Sequence, residues 1–135
     1  MWLPMPSVRR EIVLPVEPER AWELITDPGE LEGWLADEVQ LEPEQGGAVH
    51  VRFEDGEERW GTVEEADPER RLVFSWGDSR VEWTLAPAVG GTRLVVVERT
   101  LSPVTGPLMA ARGPAAPAVG PRLAALAARA SLCLA

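Results

Sequence analysis

The 135-residue chain contains no lysine, no tyrosine and no asparagine, and it has one histidine, His50, and one cysteine, Cys133. The missing residue types exclude a lysine Schiff base, a tyrosine general acid and an asparagine oxyanion donor. One cysteine excludes an internal disulfide, and one histidine among dispersed carboxylates provides no metal-ligand spacing. No serine or cysteine lies in a recognisable nucleophile motif. We therefore expect no metal, no cofactor and no identifiable catalytic residue.

Positive charge is scarce as well. Thirteen arginines stand against 22 aspartates and glutamates, which gives a net charge of −9. Nucleic acids and anionic membranes attract clustered cations, and these arginines are scattered, so we expect neither kind of partner. No segment approaches the ~18 uninterrupted apolar residues of a membrane span, and the first residues lack the pattern of a signal peptide. The sequence predicts a cytoplasmic protein.

The chain does contain enough apolar material for one packed domain. Hydrophobic residues make up 45% of it, and a chain of this length buries roughly two-thirds of its unfolded surface. We interpret residues 1–135 as a single domain. Its predicted parts are a strand, two helices and a meander over residues 7–101, a loop rich in proline, alanine and glycine over residues 102–119, and a C-terminal helix over residues 120–135.

Two short helices are predicted directly after the first strand. Pro18 suits the first turn of a helix, where its missing N–H is no loss. Asp27 ends that helix and can cap the next one, because Pro28 suits the first helical position and Glu30 lies three residues after the cap. The apolar stripe of the first helix comprises Ala21, Trp22, Leu24 and Ile25. The apolar face of the second comprises Leu31, Trp34 and Leu35.

Strands account for most of the remaining chain. Residues 8–14 and 38–41 are predicted as the first two strands, and alternating apolar residues then predict an antiparallel meander. Residues 92–100 are predicted as the longest strand, and because it is apolar on both faces we expect a central strand that is covered on both sides, at least in part. The predicted turns lie at Gly46 and Gly47, Asp55 and Gly56, Asp67 and Pro68, Gly77 and Asp78, and Gly90 and Gly91.

The last helix is predicted from apolar residues at helical spacing after Pro121. Arg122 and Arg129 fall outside this apolar pattern, so we expect them to point toward solvent. The apolar positions are Leu123, Leu126, Ala127, Ala130 and Leu134.

Several segments in this order resemble the START-like (SRPBCC) superfamily, in particular the branch of activators of the ninety-kilodalton heat-shock-protein ATPase. They are VEPERAWELITDPGELEGW (residues 16–34), the glycine pair 46–47, LVFSW (72–76), VEWTL (81–85) and GTRL (91–94). The resemblance implies an α+β helix-grip fold, in which a C-terminal helix packs across the concave face of a curved antiparallel sheet. Two features depart from the branch: Pro121 follows Gly120 where Gly-Trp is common, and the preceding loop is unusually rich in proline and alanine.

The resemblance further implies a cavity between the concave face and the last helix. The residues we expect to line it are Trp34, Phe53, Phe74, Trp76, Trp83, Leu94, Val96 and Leu126. The same side chains could equally fill a solid core, and alternation alone leaves open which strand face is concave. Two polar residues are candidates for a role there. Glu98 either points into the cavity with Leu94 and Val96 or is solvated, and His50 is either a surface residue or a general base.

Three functions follow as hypotheses. The first is non-catalytic binding of a small hydrophobic or amphipathic molecule in the cavity. The second is an enzyme of the polyketide cyclase or dehydratase kind, for which His50 and Glu98 are the available acid–base groups; this scarcity favours binding over catalysis. The third is a co-chaperone-like module with a protein partner. The chain could be a monomer or a homodimer, and the sequence does not name the ligand.

Overall fold

Seven antiparallel strands build one sheet in the part of the chain that the computed structural model describes, residues 7–100 and 122–132. The elements are β1 (Ser7–Leu14), α1 (Pro18–Thr26), α2 (Pro28–Leu31), β2 (Glu38–Leu41), β3 (Ala48–Arg52), β4 (Glu58–Asp67), β5 (Arg71–Trp76), β6 (Ser79–Ala88), β7 (Gly91–Thr100) and α3 (Leu123–Leu132). The strand order is β1-β7-β6-β5-β4-β3-β2. This confirms the α+β helix-grip fold that the sequence resemblance implied.

The two helices between β1 and β2 form as the sequence predicts at their boundary. Pro18 opens α1, and the backbone N–H of Asp27 closes it on the Glu23 carbonyl at 2.9 Å. The Asp27 carboxylate then accepts a hydrogen bond from the Glu30 N–H at 3.1 Å, which caps α2. One detail of the prediction is wrong: α2 ends at Leu31, so the two apolar residues that follow, Trp34 and Leu35, lie in a turn rather than on a helix face.

Cross-strand register decides which side chains face the core. Directly paired residues share a face of the sheet, and Leu94 and Val96 of β7 pair with Leu85 and Trp83 of β6. The inner face is therefore mostly apolar, and it lies under α1 and α3. Its largest buried members are Leu14, Leu72, Phe74, Trp76, Trp83, Leu85, Leu94 and Val96.

The predicted position of the last strand is wrong. β7 is ten residues long, like β4 and β6, and it lies second from the sheet edge, between β1 and β6. Its outward-facing Val95 is half-buried because it stands between polar residues of the neighbouring strands, Glu11 and Thr84. The aliphatic stems of such residues can cover an apolar neighbour without a second layer of structure.

A close approach of two strands requires glycine in β4. A Cβ on Gly61 would collide with the carbonyl group of Ser75 in β5. Just after it, a register shift between Val63 and Glu65 interrupts the pairing of β4 with β5. Irregularities of this kind bend a strand and increase its twist, so we expect β4 to bend at this point.

The C-terminal helix α3 packs onto this curved surface through three buried residues, Leu123, Leu126 and Ala130. The prediction that its arginines point to solvent is wrong. Arg129 is half-buried and its Nη2 lies 3.2 Å from Glu30 Oε1, and Arg122 pairs with Glu54 at 3.1 Å. The predicted helix position Leu134 and the predicted loop over residues 102–119 lie outside the described residues.

Candidate functional site

Five aromatic side chains form a continuous row across the inner face. The ring centroids of Phe53 and Trp76 are 5.8 Å apart, those of Trp76 and Phe74 5.1 Å, and those of Phe74 and Trp83 5.3 Å. Trp34 completes the row at 5.9 Å from Trp83. All five are buried. We call these five residues the aromatic row.

The geometry of the row follows from strand pairing. Phe74 and Trp76 alternate along β5, and Leu72 of the same strand pairs with Trp83 of β6, so Phe74 and Trp83 are diagonal neighbours. Phe74 meets both indoles edge to face, at interplanar angles of 83° and 84°. This is a favoured arrangement for aromatic quadrupoles, and it fixes the orientation of both tryptophans.

One end of the row is fully hydrogen-bonded. The indole Nε1–H of Trp34 donates to the carbonyl of Leu24 at 2.8 Å. In a continuous helix that carbonyl would accept from the residue four positions on, which here is Pro28 and has no N–H. Trp34 therefore supplies the donor that the break between α1 and α2 removes.

The middle of the aromatic row is not fully hydrogen-bonded. The indole Nε1 atoms of Trp76 and Trp83 are buried, and neither has a hydrogen-bond partner among the described residues. Both side chains are completely inaccessible to solvent. Buried N–H groups are normally paired, so two unpaired donors on one surface mark a place where an acceptor is missing.

A buried cation lies at the opposite end from Trp34. The side chain of Arg59 is only 6% exposed, and its register partner Val51 places it on the inner face. Its guanidinium carbon lies 5.3 Å from the ring centroid of Trp76 and 5.4 Å from that of Phe53. These distances are typical of cation–π contacts. The Nε atom also pairs with Glu57 at 3.3 Å, near the protein surface.

A second arginine reaches the same end from α3. The Arg122 guanidinium carbon lies 4.7 Å from the ring centroid of Phe53, while its Nη2 pairs with the exposed Glu54. Phe53 is thus in contact with two cations, one from β4 and one from the start of α3. We call Arg59 and Arg122 together with Phe53 the cationic end of the row.

The remaining predicted lining residues share this interior. Leu94 and Val96 lie on β7, and Leu126 faces the sheet from α3; all three are buried in the same core as the aromatic row. Glu98 is also buried and occupies the inner face, opposite Val81 of β6. Of the two alternatives for Glu98, the structure selects the interior position over a solvated one.

His50 is on the other side of the sheet. Its ring stacks on Trp60 at a centroid distance of 3.6 Å, and its Nε2 lies 3.1 Å from Glu58 Oε1. Trp60 is 63% exposed. The structure therefore does not bring His50 together with Glu98 or with any predicted lining residue.

Sequence reasoning missed both arginines of the cationic end. Arg122 was expected to be solvated, and Arg59 was not singled out. A signal for Arg59 was present, because Arg59, Gly61 and Val63 alternate on one face of β4 and Val63 is an obvious core residue. A charged residue in phase with a core valine is expected to face inward.

A separate open groove of about 530 Å³ lies at the start of α1, beside the turn between β6 and β7. Its charged lining residues are Glu17 and Arg20, and Arg20 already pairs with Glu23 and Glu30. It contains none of the predicted lining residues. Within residues 7–100 and 122–132, no helix is long and apolar enough to cross a membrane, and no cluster of three histidine, cysteine or acidic side chains could hold a metal ion.

Three solved structures are similar to this chain in fold. A protein of Rhodobacter sphaeroides aligns over 95% of this chain and 90% of its own length, with 24% identity and a TM-score of 0.72. DynU16, a protein in the dynemicin biosynthetic locus, aligns over 92% of this chain with 25% identity and a TM-score of 0.71, and the match spans 46% of DynU16. CalU16 from Micromonospora echinospora aligns over 71% of this chain and 60% of its own, with 27% identity and a TM-score of 0.57.

A comparison with curated proteins gives no match. The family model described as "Activator of Hsp90 ATPase homolog 1-like protein" matches residues 15–124, which include the helix pair, strands β2 to β7 and the first residues of α3. With the strand order and the grip of α3 on the concave face, this match shows that the chain belongs to the activator of Hsp90 ATPase homolog 1-like family.

Proposed function

We propose that this protein binds a small hydrophobic or amphipathic molecule between the concave face of the sheet and α3, without catalysing a reaction on it. The observation that carries the proposal is the pair of buried, unpaired indole N–H groups of Trp76 and Trp83. Trp34, the third tryptophan of the aromatic row, has its acceptor. Among the tryptophans of the row, the two without an acceptor are therefore Trp76 and Trp83.

The physical argument concerns the free energy of a buried donor that has no acceptor. A buried donor without an acceptor loses its hydrogen bond to water and costs about 1–3 kcal/mol. A ligand that brings a carbonyl, ether or hydroxyl oxygen to these indoles would recover that free energy on binding. Apolar and aromatic walls with a few convergent polar groups are the usual composition of a small-molecule site.

The comparisons support the same proposal. DynU16 is a protein of the dynemicin biosynthetic locus and has 25% identity with this chain. Membership of such a locus favours a small organic molecule over a macromolecule as the ligand class. A fold by itself does not carry a function, so the argument still rests on the two indoles.

A polyketide cyclase-like enzyme is the second candidate, and Glu98 is the observation that favours it. Its carboxylate is buried on the same inner face as the aromatic row. A general acid or base needs to reach the substrate proton, and Glu98 is the carboxylate of the described inner face that a bound molecule could meet. Replacement of Glu98 by Gln separates the candidates, because it would abolish turnover but leave binding of a neutral ligand nearly unchanged.

A protein partner remains a prediction with less support. The large exposed apolar side chains of the described residues are Val13, Trp60 and Val89. Val13 is on β1 and Trp60 on β4, with three strands between them in the sheet. Partner-binding surfaces are usually contiguous apolar patches, and these side chains do not form one.

The proposal is tested by titration with N-phenyl-1-naphthylamine, an uncharged probe whose fluorescence rises in apolar surroundings. We expect saturable binding of one probe per chain. Val96→Phe fills the interior and should weaken binding at least tenfold, whereas the neighbouring Val95→Phe points outward and should not. Circular dichroism and cooperative thermal unfolding establish that both variants are folded.

Two results would contradict the proposal. One is the absence of saturable binding to the wild-type protein. The other is equal loss of binding in the two valine variants, which would locate the probe outside the interior. If Val96→Phe does not fold, native mass spectrometry of wild-type protein mixed with the probe decides the stoichiometry without any substitution.

A further inference from the structure

We propose that the ligand of this interior is neutral and carries a carbonyl group, which binds at the end of the sheet where Trp76, Ser79 and Thr100 lie side by side. This inference rests on the proposed function and specifies the class and orientation of its ligand. The juxtaposition that supports it is a buried indole N–H without an acceptor next to two buried hydroxyl residues of the same face. We call these three residues the donor row.

The donor row follows from strand register. Trp76 is the last residue of β5, Ser79 the first of β6 and Thr100 the last of β7. Trp76 pairs directly with Ser79, and Ser79 pairs directly with Thr100. Directly paired residues have their side chains on one face, with Cβ atoms about 4.5–5.5 Å apart. Three polar side chains are therefore neighbours at one end of an inner face that is mostly apolar.

The chemistry of the donor row selects a ligand that accepts hydrogen bonds. An indole N–H can only donate, and the N–H of Trp76 has no acceptor, so the neighbouring Ser79 hydroxyl does not serve it. The hydroxyl groups of Ser79 and Thr100 can both donate. A carbonyl oxygen has two lone pairs, so it can accept from the indole and from one hydroxyl at the same time.

The positive charges near the donor row are already matched. Arg59, whose guanidinium carbon lies 5.3 Å from the ring centroid of Trp76, pairs with Glu57 and has a further interaction. Arg122 pairs with Glu54 and likewise has a further interaction. An anionic ligand would therefore have to compete with groups of the protein for both arginines.

The negative charge on the inner face also disfavours an anion. Glu98 lies two residues before Thr100 on the same face of β7, and its carboxylate has an interaction partner of its own. Like charges that approach each other in a buried site are strongly unfavourable. Burial of any charge without a counter-charge is costly, whereas a neutral carbonyl group loses less on leaving water. The ligand is therefore a ketone, an ester or an amide rather than an acid or an amine.

The orientation of the ligand follows from the two ends of β7. At the start of the strand, the hydroxyl of Thr92 is completely buried and already donates to the Val16 carbonyl at 2.8 Å. At the other end, Ser79 and Thr100 are 5% and 8% exposed, so the donor row lies nearer to the protein surface. The carbonyl group of the ligand therefore remains at the donor row, and its apolar body lies along the aromatic row.

The test compares three probes that share a naphthalene ring system. 2-Acetylnaphthalene is a neutral ketone, 2-ethylnaphthalene lacks the oxygen, and 2-naphthoate is an anion of similar shape. Displacement of N-phenyl-1-naphthylamine at pH 8 measures the affinity of each probe. We expect the ketone to bind at least about tenfold more tightly than the naphthoate, because the buried site offers no unmatched positive charge.

Two variants locate the carbonyl group. Trp76→Phe removes the indole N–H, and it should lower the ratio of ketone affinity to hydrocarbon affinity by about tenfold. Ser79→Ala removes one hydroxyl, and it should lower the same ratio by about threefold. The ratio cancels any general loss of packing, because both neutral probes bury nearly the same apolar surface.

Ser75→Ala is the matched control. Ser75 directly precedes Trp76 but faces the other side of the sheet, where its Oγ lies 3.3 Å from the backbone nitrogen of Thr62. This variant removes the same chemical group as Ser79→Ala from the outer face. The ratio of ketone affinity to hydrocarbon affinity should keep its wild-type value.

A second readout uses the wild-type protein and decides the question if Trp76→Phe does not fold. In ¹H–¹⁵N spectra, the indole N–H resonance of Trp76 should lie further downfield with the ketone than with the hydrocarbon, because a hydrogen bond to oxygen deshields the proton. The resonance of Trp60, which is exposed on the outer face, should be the same with both probes.

The outcomes separate the two proposals. The neutral carbonyl ligand is overturned if Trp76→Phe or Ser79→Ala keeps the wild-type ratio, if the Trp76 resonance is the same with both neutral probes, or if the naphthoate binds as tightly as the ketone. Each of these results leaves apolar binding intact. Absence of saturable binding of N-phenyl-1-naphthylamine would overturn the proposed function itself.

Discussion

The two faces of the sheet differ in whether their polar groups have hydrogen-bond or ion-pair partners. On the outer face, arginines pair with glutamates whose side chains are about half exposed, as in Arg52–Glu38 at 2.6 Å and Arg93–Glu11 at 2.7 Å. On the inner face, where water is excluded, two indole N–H groups have no acceptor among the described residues. The polar groups compared here are therefore paired on the outer face, where each pair contributes least to stability.

The two faces differ in the free energy that their polar groups contribute. An exposed ion pair contributes about 0–1 kcal/mol, because water and salt screen it. An unpaired buried donor costs about 1–3 kcal/mol, so a protein with no use for it gains by replacing it with an apolar group. The inner face contains such donors beside a buried cation, Arg59. The comparison is the basis of the proposed function, in which a ligand supplies the missing acceptors.

The largest expected effect is the loss of a ring from the inner face. Trp83→Ala should lower the free energy of unfolding by about 3–5 kcal/mol, because it leaves a cavity in the core. Trp60→Ala, the matched change on the outer face, should cost less than about 1 kcal/mol. Urea denaturation of both variants measures the difference. Similar losses for the two would show that the inner face is not the tightly packed one.

A smaller effect isolates the hydrogen bonds of the row. Trp34→Phe should destabilise the protein by about 1–2 kcal/mol more than Trp83→Phe, because only the first loses a hydrogen bond and leaves the Leu24 carbonyl unpaired. Both changes remove the same ring volume from buried sites that lie next to each other. Thermal unfolding without ligand measures this; a larger loss for Trp83→Phe would mean that its N–H has an acceptor after all.

The contact that Arg129 of α3 makes with Glu30 should also be measurable. A Cβ on Gly33 would overlap the guanidinium of Arg129 and push it away from Glu30. We expect Gly33→Ala to cost about 1 kcal/mol in the wild-type protein and much less in an Arg129→Ala background, because coupled sites are not additive. A double-mutant cycle followed by urea denaturation tests this, and strict additivity would refute the contact.

The smallest effect belongs to the outer face. Arg52→Met breaks the pair with Glu38, and both side chains are largely exposed. We expect a change of less than about 0.5 kcal/mol at low salt, falling further in 1 M NaCl as screening increases. Melting temperatures at two salt concentrations measure it. A loss comparable to that from an inner-face residue would remove the contrast between the faces.

Much of the fold could be predicted because its signals are local. Alternation identified the strands, and the paired turn residues placed their ends; Asp67, for instance, is the last residue of β4. The cap by Asp27 was readable from the proline and glutamate that follow it. Such signals depend on neighbours within a few residues, which the sequence displays directly.

The wrong predictions concern residues whose positions depend on a partner that is distant in the chain. The second helix stops at Leu31, and the tryptophan three residues later turns back to the Leu24 carbonyl, which Pro28 cannot serve. Arg122 and Arg129 face glutamates from segments 68 and 99 residues away in the chain. Spacing along one helix contains no information about such partners.

The sequence by itself determined the order of elements, the apolar composition of alternate strand positions and the scarcity of acid–base and metal-binding groups. Tertiary structure decided which strand face is concave, which indoles lose their acceptors, and that Arg59 lies against Trp76. The physical reason is that a hydrophobic pattern is a property of residues close together in the sequence. The pairing of a buried donor or charge depends instead on the register of several strands at once.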